Sequence, residues 1–521
     1  MDRTIEKFLK DIVLNQSDLD KANLLTITLK KLSSCMPFLV ATCLVICFSY
    51  LQFLTPTFHD PDSYYHAALS SFIKSSGLHY QFRWTQFSIM KDFFADKDIL
   101  FHLTIVPFLY LFNNIVLAGK FAVIFHNIIF IVIYGFILRK YLSNFLTSLF
   151  LLLPFFSSMF LLYFLQLRSI TLVNILTLLG IYALIKKKLL WVFVISLIYP
   201  LLHVSFFLFI FFAFICEILR YVFHREFIIR NIYIAIIASC LGCLLHPNFP
   251  NNLIYIKLNS LIVPWYYLKD VEINFGTEVF SFPTKLVVME NFLLFLALNI
   301  FLWSSSLGKK IKFPTAVWLA CFNFYLILAF FSSRYWYPAN ALCFIFFASY
   351  LNDLRESRNL NNFVAKANLF TSLLLLSAIL VLPSNFKKIC ETLERNIKVC
   401  INYENAASYM RRNIPSGQTI YHAKWSDAPF FICLNPKNNY LVVCDPIYMS
   451  YYFPRIFTIY NNLQIGKLEK PYEVLDRIFK VSYGFTRRDH LIYPQVKNDP
   501  RHFKVLYENE IGIIFKIIKH S

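Results

Sequence analysis

The chain has 521 residues, of which 58% are hydrophobic and only 15% charged, with 58 Phe and 11 Gly. A soluble domain carries ~25% charge, so a water-soluble main body is excluded. The formal net charge of +20 is assigned to basic loops that set topology and face anionic lipid, not to nucleic-acid binding.

The first ~30 residues are polar, and no cleavable signal peptide is expected there. Beyond them, apolar runs near bilayer-crossing length recur, and about eleven transmembrane helices are expected. They cover 35–54, 119–138, 145–163, 169–185, 189–202, 204–219, 231–247, 287–306, 314–332, 336–352 and 367–383. Pro200 and His203 divide the run 189–219 into two half-length helices, and 101–112 is too short to span and is placed as an interfacial helix. With the N-terminus cytoplasmic, five basic clusters fall on the inner side. They are Arg139-Lys140, Lys186-Lys187-Lys188, Arg220 with Arg225 and Arg230, Lys309-Lys310 with Lys312, and Arg355 with Arg358. That bias supports the threading.

The outer face then holds the loops 55–118 and 248–286 and the tail 384–521. The expected organisation is a multi-span domain over 1–383 and a small C-terminal α/β extracytoplasmic domain over 384–521. In the tail, short β-type runs at Gln418–His422, Tyr440–Cys444 and Gly512–Ile517 alternate with helical stretches near 402–413, 448–461 and 471–480. The turn Asn435-Pro436-Lys437-Asn438-Asn439 predicts a hairpin. The 12 cysteines show no metal-type spacing. Cys390, Cys400, Cys433 and Cys444 would face an oxidising compartment, with the pairing left open.

The densest polar motif is His59-Asp60-Pro61-Asp62-Ser63-Tyr64-Tyr65-His66, at the mouth of the first span. Ionisable groups in such a place are costly and functional by default. Pro61 pushes Asp60 to an extended conformation, and Asp62 is the expected N-cap of a helix over 63–75, closed by Ser75-Ser76-Gly77. The acidic stretch Lys91-Asp92-Phe93-Phe94-Ala95-Asp96-Lys97-Asp98, then Phe101-His102, reads either as a wet surface or as a supplier of Asp96 and Asp98. Arg168, His203 and Arg334 lie at outer ends of spans, against the charge bias. Guanidinium suits phosphate. His203 reads equally as a turn residue.

A carboxylate among arginines at headgroup height suits a sugar carried on a polyprenyl phosphate. The phosphate leaves without a strong acid. The acceptor needs a base, Asp60, and the departing phosphate needs a cationic clamp, Arg168 and Arg334.

These features resemble the GT-C superfamily of polyprenyl-phosphate-sugar-dependent membrane glycosyltransferases. The segment Asp60-Pro61-Asp62-Ser63-Tyr64-Tyr65-His66 is similar to the first acidic motif of oligosaccharyltransferase catalytic subunits. Lys424-Trp425-Ser426-Asp427-Ala428-Pro429 is similar to their Trp-x-Asp acceptor motif, without the second Trp and the Gly. The resemblance implies catalysis by Asp60 and inversion at the sugar carbon; Asp62, two residues on, is the second catalytic candidate. By position in the topology the resemblance implies a place near the donor phosphate for Arg334, and acceptor contacts from Trp425, Asp427 and Glu278; beside these, the residues themselves offer Arg168 and His203 as further donor-phosphate candidates and Tyr64 as a candidate sugar contact. The second acidic metal motif of that family is missing from the loop Phe164–Arg168. Asp60, Asp96 and Asp98 would then hold a divalent metal (Mg or Mn), or the chemistry is metal-independent. The implied setting is a bacterial inner membrane with the C-terminal domain outside. The implied partners are a polyprenyl-linked sugar donor and membrane lipids, with the acceptor open. The alternatives are a transporter or flippase of lipid-linked glycans, which needs polar or broken helices at mid-depth, and an O-antigen polymerase or ligase type of enzyme.

Overall fold

The computed structural model describes residues 16–269, 276, 280–306, 311–356, 360–443 and 445–518. Its first helix, α1 (Gln16–Phe53), ends in the polar segment that opens the first outer loop. That loop folds as α2 (Pro61–Ser76), an extended stretch, and α3 (Ile99–Leu111). α3 has 13 residues with Pro107 inside, too short to cross a bilayer. α4 (Ile115–Leu138) is a full-length apolar helix.

Four helices among the described residues are long and apolar enough to cross a membrane, ending with Phe313–Phe331. Two bent pairs raise this to as many as six. The expected span 145–163 is one of them: α5 (Asn144–Leu152) continues through a short turn to Phe156, and α6 (Ser158–Phe164) departs at 90°. Pro154 and the extended backbone of Ser157 explain the break. The expected span 287–306 is the other: α12 (Thr284–Glu290) and α13 (Phe292–Ser306) meet at 81° around Asn291. Between these lie α7 (Ile170–Ile185), α8 (Leu189–Leu202), α9 (Phe207–His224), α10 (Ile229–Leu244) and α11 (Asn251–Lys257). α7, α8 and α10 are shorter than a full span. The break after α8 falls at His203, extended at φ −166°, because Pro200 ends the usable ladder.

α14 (Phe313–Phe331) and α15 (Trp336–Glu356) form a tight pair, with Trp318 and Trp336 fully buried. α16 (Leu360–Asn413) then runs without interruption past position 384, so the expected domain boundary falls inside one helix of 54 residues.

The end of α16 leads into a five-stranded mixed sheet ordered β2-β1-β3-β5-β4. β1 (Thr419–His422) is parallel to β2 (Asn439–Tyr440) and to β3 (Tyr483–Arg487). β5 (Gly512–Ile517) is antiparallel to β3 and to β4 (Phe503–Glu508). The hairpin expected at Asn435–Asn439 does not form. Its first arm is a helix, α17 (Ala428–Leu434), with Pro429 in the first turn, where a missing N–H costs nothing. β1 and β2 are therefore joined by a crossover and lie parallel.

The first outer loop packs onto this sheet. Tyr440 N donates to Trp84 O at 2.6 Å, Gln86 N to Tyr440 O at 3.0 Å, and Phe87 N to Leu441 O at 2.9 Å. Loop 84–87 thus continues the edge beyond β2. The described cysteines Cys390, Cys400 and Cys433 are free thiols. Cys444 lies outside the described residues.

Candidate functional site

The site is built on the start of α2. Pro61 occupies the first helical position, so the cap is Asp60 and not Asp62 as its spacing suggested. Asp60 Oδ1 accepts from Ser63 N at 2.9 Å and Oδ2 from Ser63 Oγ at 2.5 Å. Leu167 N donates to the same Ser63 Oγ at 3.0 Å, which docks the segment before α7 against the cap. The approach of the preceding loop needs Gly119: a Cβ there would lie 2.5 Å from the Phe58 ring. Lys120, 3% exposed, donates to Thr55 Oγ1 at 3.0 Å and to Thr55 O, closing the end of α1 onto α4.

Asp62 lies in the first turn of the helix and forms an ion pair with Arg168. The Arg168 guanidinium also sits over the Tyr163 ring, 5.7 Å from its centroid. Asp98, 2% exposed, accepts from Ser169 Oγ at 3.1 Å. It stands at the head of α3 without capping it, so its carboxylate turns toward the start of α7.

His203 closes this group from the α8–α9 break. Its Nδ1 lies 2.8 Å from Ser205 Oγ and accepts from Ser205 N at 3.1 Å. Burial pushes its imidazole down to about 4; Asp98 pulls it up, while Lys97, Arg334 and Arg168 push it further down. Four charged groups from the loop before α3, the head of α7 and the head of α15 therefore act on one imidazole. Arg334 is partly buried and its Nε finds no hydrogen-bond partner among the described residues.

Beside this group runs a buried chain of three side chains. His102 Nδ1 lies 2.7 Å from Asp96 Oδ2, and His102 Nε2 lies 2.7 Å from His66 Nδ1. Asp96 also accepts from Tyr80 OH at 3.4 Å and, through Oδ1, from Asp98 N at 3.2 Å. Asp96 and His102 are 1% and 0% exposed. Asp62 and His66 are four residues apart, on one face of α2.

Several expected contacts fall elsewhere. Tyr64 is fully buried; its hydroxyl donates to Glu404 Oε1 of α16 at 2.8 Å, so it ties α2 to α16 and presents nothing to a sugar. Asp427 is also fully buried. It accepts from Tyr403 OH and, at 3.2 Å, from Lys424 N, inside the C-terminal sheet layer. Burial raises its carboxyl to about 6, against the pull of the Tyr403 bond and of Arg487. Trp425, on the same turn, is partly buried against the core. Glu278 lies outside the described residues. Asp60, Asp96 and Asp98 do not converge: one holds Ser63, one His102, one Ser169. No group of three metal-type side chains assembles among the described residues, so these three carboxylates do not fit a shared Mg or Mn ion.

Lys97, Ser63, His66 and His102 were legible only as members of polar runs. The one available signal was two imidazoles and two carboxylates within eight residues at a span mouth. Nothing local pairs His66 with a histidine 36 residues away.

No family model matches the chain, and no curated protein matches it in sequence. Solved structures match it in fold. The oligosaccharyltransferase of Archaeoglobus fulgidus in the apo form aligns at TM-score 0.57 and 11% identity, over 87% of this chain and 69% of that one. ArnT from Cupriavidus metallidurans bound to undecaprenyl phosphate aligns at TM-score 0.56 and 11% identity, over 92% of this chain and 97% of that one. The same ArnT in the apo state gives TM-score 0.58 at 9% identity, with the same coverage. The resemblance to GT-C glycosyltransferases is therefore present in three dimensions, at a distance where it establishes the fold.

Proposed function

We propose, from the fold shared with oligosaccharyltransferase and ArnT, that this chain is a membrane glycosyltransferase with a polyprenyl-(pyro)phosphate sugar as donor. The carrying observation is the polar cluster at the head of α7, where Arg168 pairs with Asp62 and Ser169 bonds Asp98, with the charges of Lys97, Arg168, Arg334 and Asp98 all acting on His203. Three cations against one carboxylate in the set acting on His203, at the ends of apolar helices, suit a lipid phosphate held at headgroup depth. The unpartnered Arg334 Nε supplies a donor for it. Asp62 aims Arg168.

The acceptor's nucleophilic atom attacks the anomeric carbon from the side opposite the phosphate, and the carbon–oxygen bond to phosphate breaks. The sugar carbon inverts, the electron pair leaves on the phosphate, and the acceptor's proton goes to Asp60. Three facts favour Asp60 over the other carboxylates. Its ion-pair neighbour among the described residues is His59, at 3.9 Å, not a lysine or arginine. Each of its oxygens keeps a lone pair after accepting from Ser63. His59 Nε2 is buried and makes no hydrogen bond among the described residues, so it does not occupy either Asp60 oxygen. The orientation follows the basic-loop bias: N-terminus in the cytoplasm, site and C-terminal sheet outside a bacterial inner membrane.

A flippase would carry its charges through the bundle; here Lys97, Asp98, Arg168 and Arg334 gather at one end of it. The test is binding of undecaprenyl phosphate to the full chain in nanodiscs. Arg168→Gln and Arg334→Gln should each weaken it about tenfold or more. Unchanged binding in both overturns the phosphate site. Glycoconjugate profiling of a deletion strain tests the reaction, since Asp60→Asn must not restore the wild-type pattern.

A further inference from the structure

The three-residue chain Asp96–His102–His66 is not used by the reaction as written above, yet it is a buried, hydrogen-bonded chain beside the site. Its hydrogen bonds fix a direction. Asp96 accepts a backbone N–H from Asp98 through Oδ1 and the Tyr80 hydroxyl through Oδ2, so both of its oxygens serve as acceptors. His102 Nδ1 must then carry the proton and donate to Asp96 Oδ2. With both imidazoles neutral, His102 Nε2 carries no proton and accepts. His66 Nδ1 donates into it. The remaining ring atom, His66 Nε2, is thereby left as a lone pair, and it makes no hydrogen bond among the described residues. His66 is also within electrostatic reach of His203 and Lys97.

A lone pair at that position cannot serve the phosphate. Phosphate oxygens are acceptors and would repel it; the neighbouring Lys97, Arg168 and Arg334 are the donors that phosphate needs. What a bare imidazole nitrogen takes is an O–H. The nearest O–H groups to a bound sugar phosphate are those of the sugar itself, which is covalently attached to it.

We infer that His66 reads the donor sugar: its Nε2 accepts a hydrogen bond from a ring hydroxyl, and Asp96 and His102 are positioning residues that hold it in the accepting tautomer. The ligand class is a polyprenyl phosphate carrying a hydroxylated pyranose, as distinct from the bare lipid phosphate. A site built to accept from a hydroxyl rejects a ligand lacking it.

This inference rests on the lipid-phosphate reading, and the experiment separates the two. The full chain in nanodiscs is titrated with undecaprenyl phosphate and with undecaprenyl phosphates bearing glucose, mannose, galactose or N-acetylglucosamine. Wild type should bind at least one sugar-bearing lipid about tenfold more tightly than the bare lipid phosphate. His66→Asn keeps a donor to His102 Nε2, so the fold is retained, but it has no acceptor where the imidazole Nε2 stood. It should abolish the sugar-dependent gain and leave bare lipid phosphate binding within twofold. His66→Gln, which can turn an amide oxygen outward, should recover part of the gain. Asp96→Asn, which frees the tautomer, should lose most of it. A gain that survives His66→Asn, or no gain with any of the sugars, overturns the inference. A loss of bare lipid phosphate affinity in His66→Asn equal to the loss with sugar also overturns it. Failure of every lipid phosphate to bind wild type overturns the underlying reading, and this inference with it.

Discussion

Asp62 and Arg168 are joined in an ion pair that closes the first turn of α2 onto the head of α7. Their side chains are 35% and 17% exposed, so the pair lies at the lip of the site, not in the core. A pair this wet contributes ~1 kcal/mol or less to stability. Its value lies in where it holds the guanidinium. Asp62→Asn should leave the melting temperature within about two degrees of wild type while lowering lipid phosphate affinity, because Arg168 loses its aim. Arg168→Lys, a point charge without a fork, should fall short of wild type by a similar factor. Equal affinity in Asp62→Asn and wild type would mean that the arginine is positioned by something else.

Asp60 combines two roles that substitution can separate. Asn is as good an N-cap as Asp but cannot take a proton. Asp60→Asn should keep stability close to wild type and reduce transfer by about a hundredfold or more. Asp60→Ala should lose the same activity and, in addition, ~1 kcal/mol of stability. Activity in Asp60→Asn near the wild-type level, with only Asp60→Ala impaired, would leave Asp60 as a cap and move the base elsewhere.

The sheet layer carries two buried titrating groups with opposite effects on stability. Burial pushes the His422 imidazole down to about 4 from an ordinary 6.5; both ring nitrogens are engaged, Nδ1 with Lys424 O at 2.8 Å and Nε2 with Val442 N at 3.4 Å. Its contribution is complete above pH 6.5 and is lost as pH falls toward 4. Asp427, raised to about 6 from 3.8, has the opposite sign: its contribution is complete below pH 3.8 and is lost as pH rises through 6. The two slopes oppose each other over roughly pH 4–6, so this pair together adds little pH dependence there. Asp427→Asn should unmask acid destabilisation, and His422→Gln should unmask stabilisation on acidification. Melting followed by Trp425 fluorescence, two residues from Asp427, distinguishes the slopes. Parallel profiles for the two variants would refute the assignment.

What the sequence made legible was whatever local pattern controls. Apolar length gave helices at 170–185, 189–202 and 313–331 close to their observed bounds. Alternation gave β1 and β5, and Pro200 gave the break at His203. What stayed hidden depends on partners remote in sequence. The bends at Ser157 and Asn291 sit inside runs that read as continuous. Both are stabilised across the bundle, where Ser157 Oγ donates to Asn291 Oδ1 at 3.4 Å and Asn340 Nδ2 donates to the same oxygen at 2.7 Å. The strands β3 and β4 were not seen, because β3 (Tyr483–Arg487) carries a glycine and a terminal arginine and β4 (Phe503–Glu508) does not alternate buried and exposed residues. Tyr64 and Asp427 read as surface binding residues because a lone polar group in a motif gives no sign of burial; α16 covers Tyr64, and Tyr403 of the same helix covers Asp427.

The strand-like addition of loop 84–87 to the sheet predicts that the first outer loop and the C-terminal sheet unfold together. Trp84 is the anchor: it stacks on Phe72 with centroids 3.9 Å apart and 9° between planes, and its Nε1 donates to Pro436 O at 2.6 Å. Trp84→Ala removes a large buried ring and should cost ~3–5 kcal/mol. Trp84→Phe keeps the stack and loses the indole bond, for ~1 kcal/mol. Limited proteolysis should cut both the first loop and the tail of Trp84→Ala with the same rate constant. Cleavage of the loop alone, with the tail intact, would break the coupling.

Arg168 and Lys187 bracket α7, whose 16 residues span ~24 Å along the axis. Arg168 shares the field at His203 with Arg334, so Ser333, beside Arg334, belongs to the Arg168 end of the bundle and Lys187 to the opposite end. Ser333 itself is buried, so its half-buried neighbour Ser332 reports on that end: single cysteines at Lys187 and Ser332, in a background lacking the native cysteines, should react with a membrane-impermeant thiol reagent from opposite sides. The basic-loop bias assigns Ser333 to the outside. Labelling of both from outside would place the cation cluster and the Lys186-Lys187-Lys188 turn on one face, and no bundle with α7 crossing between them could satisfy that result.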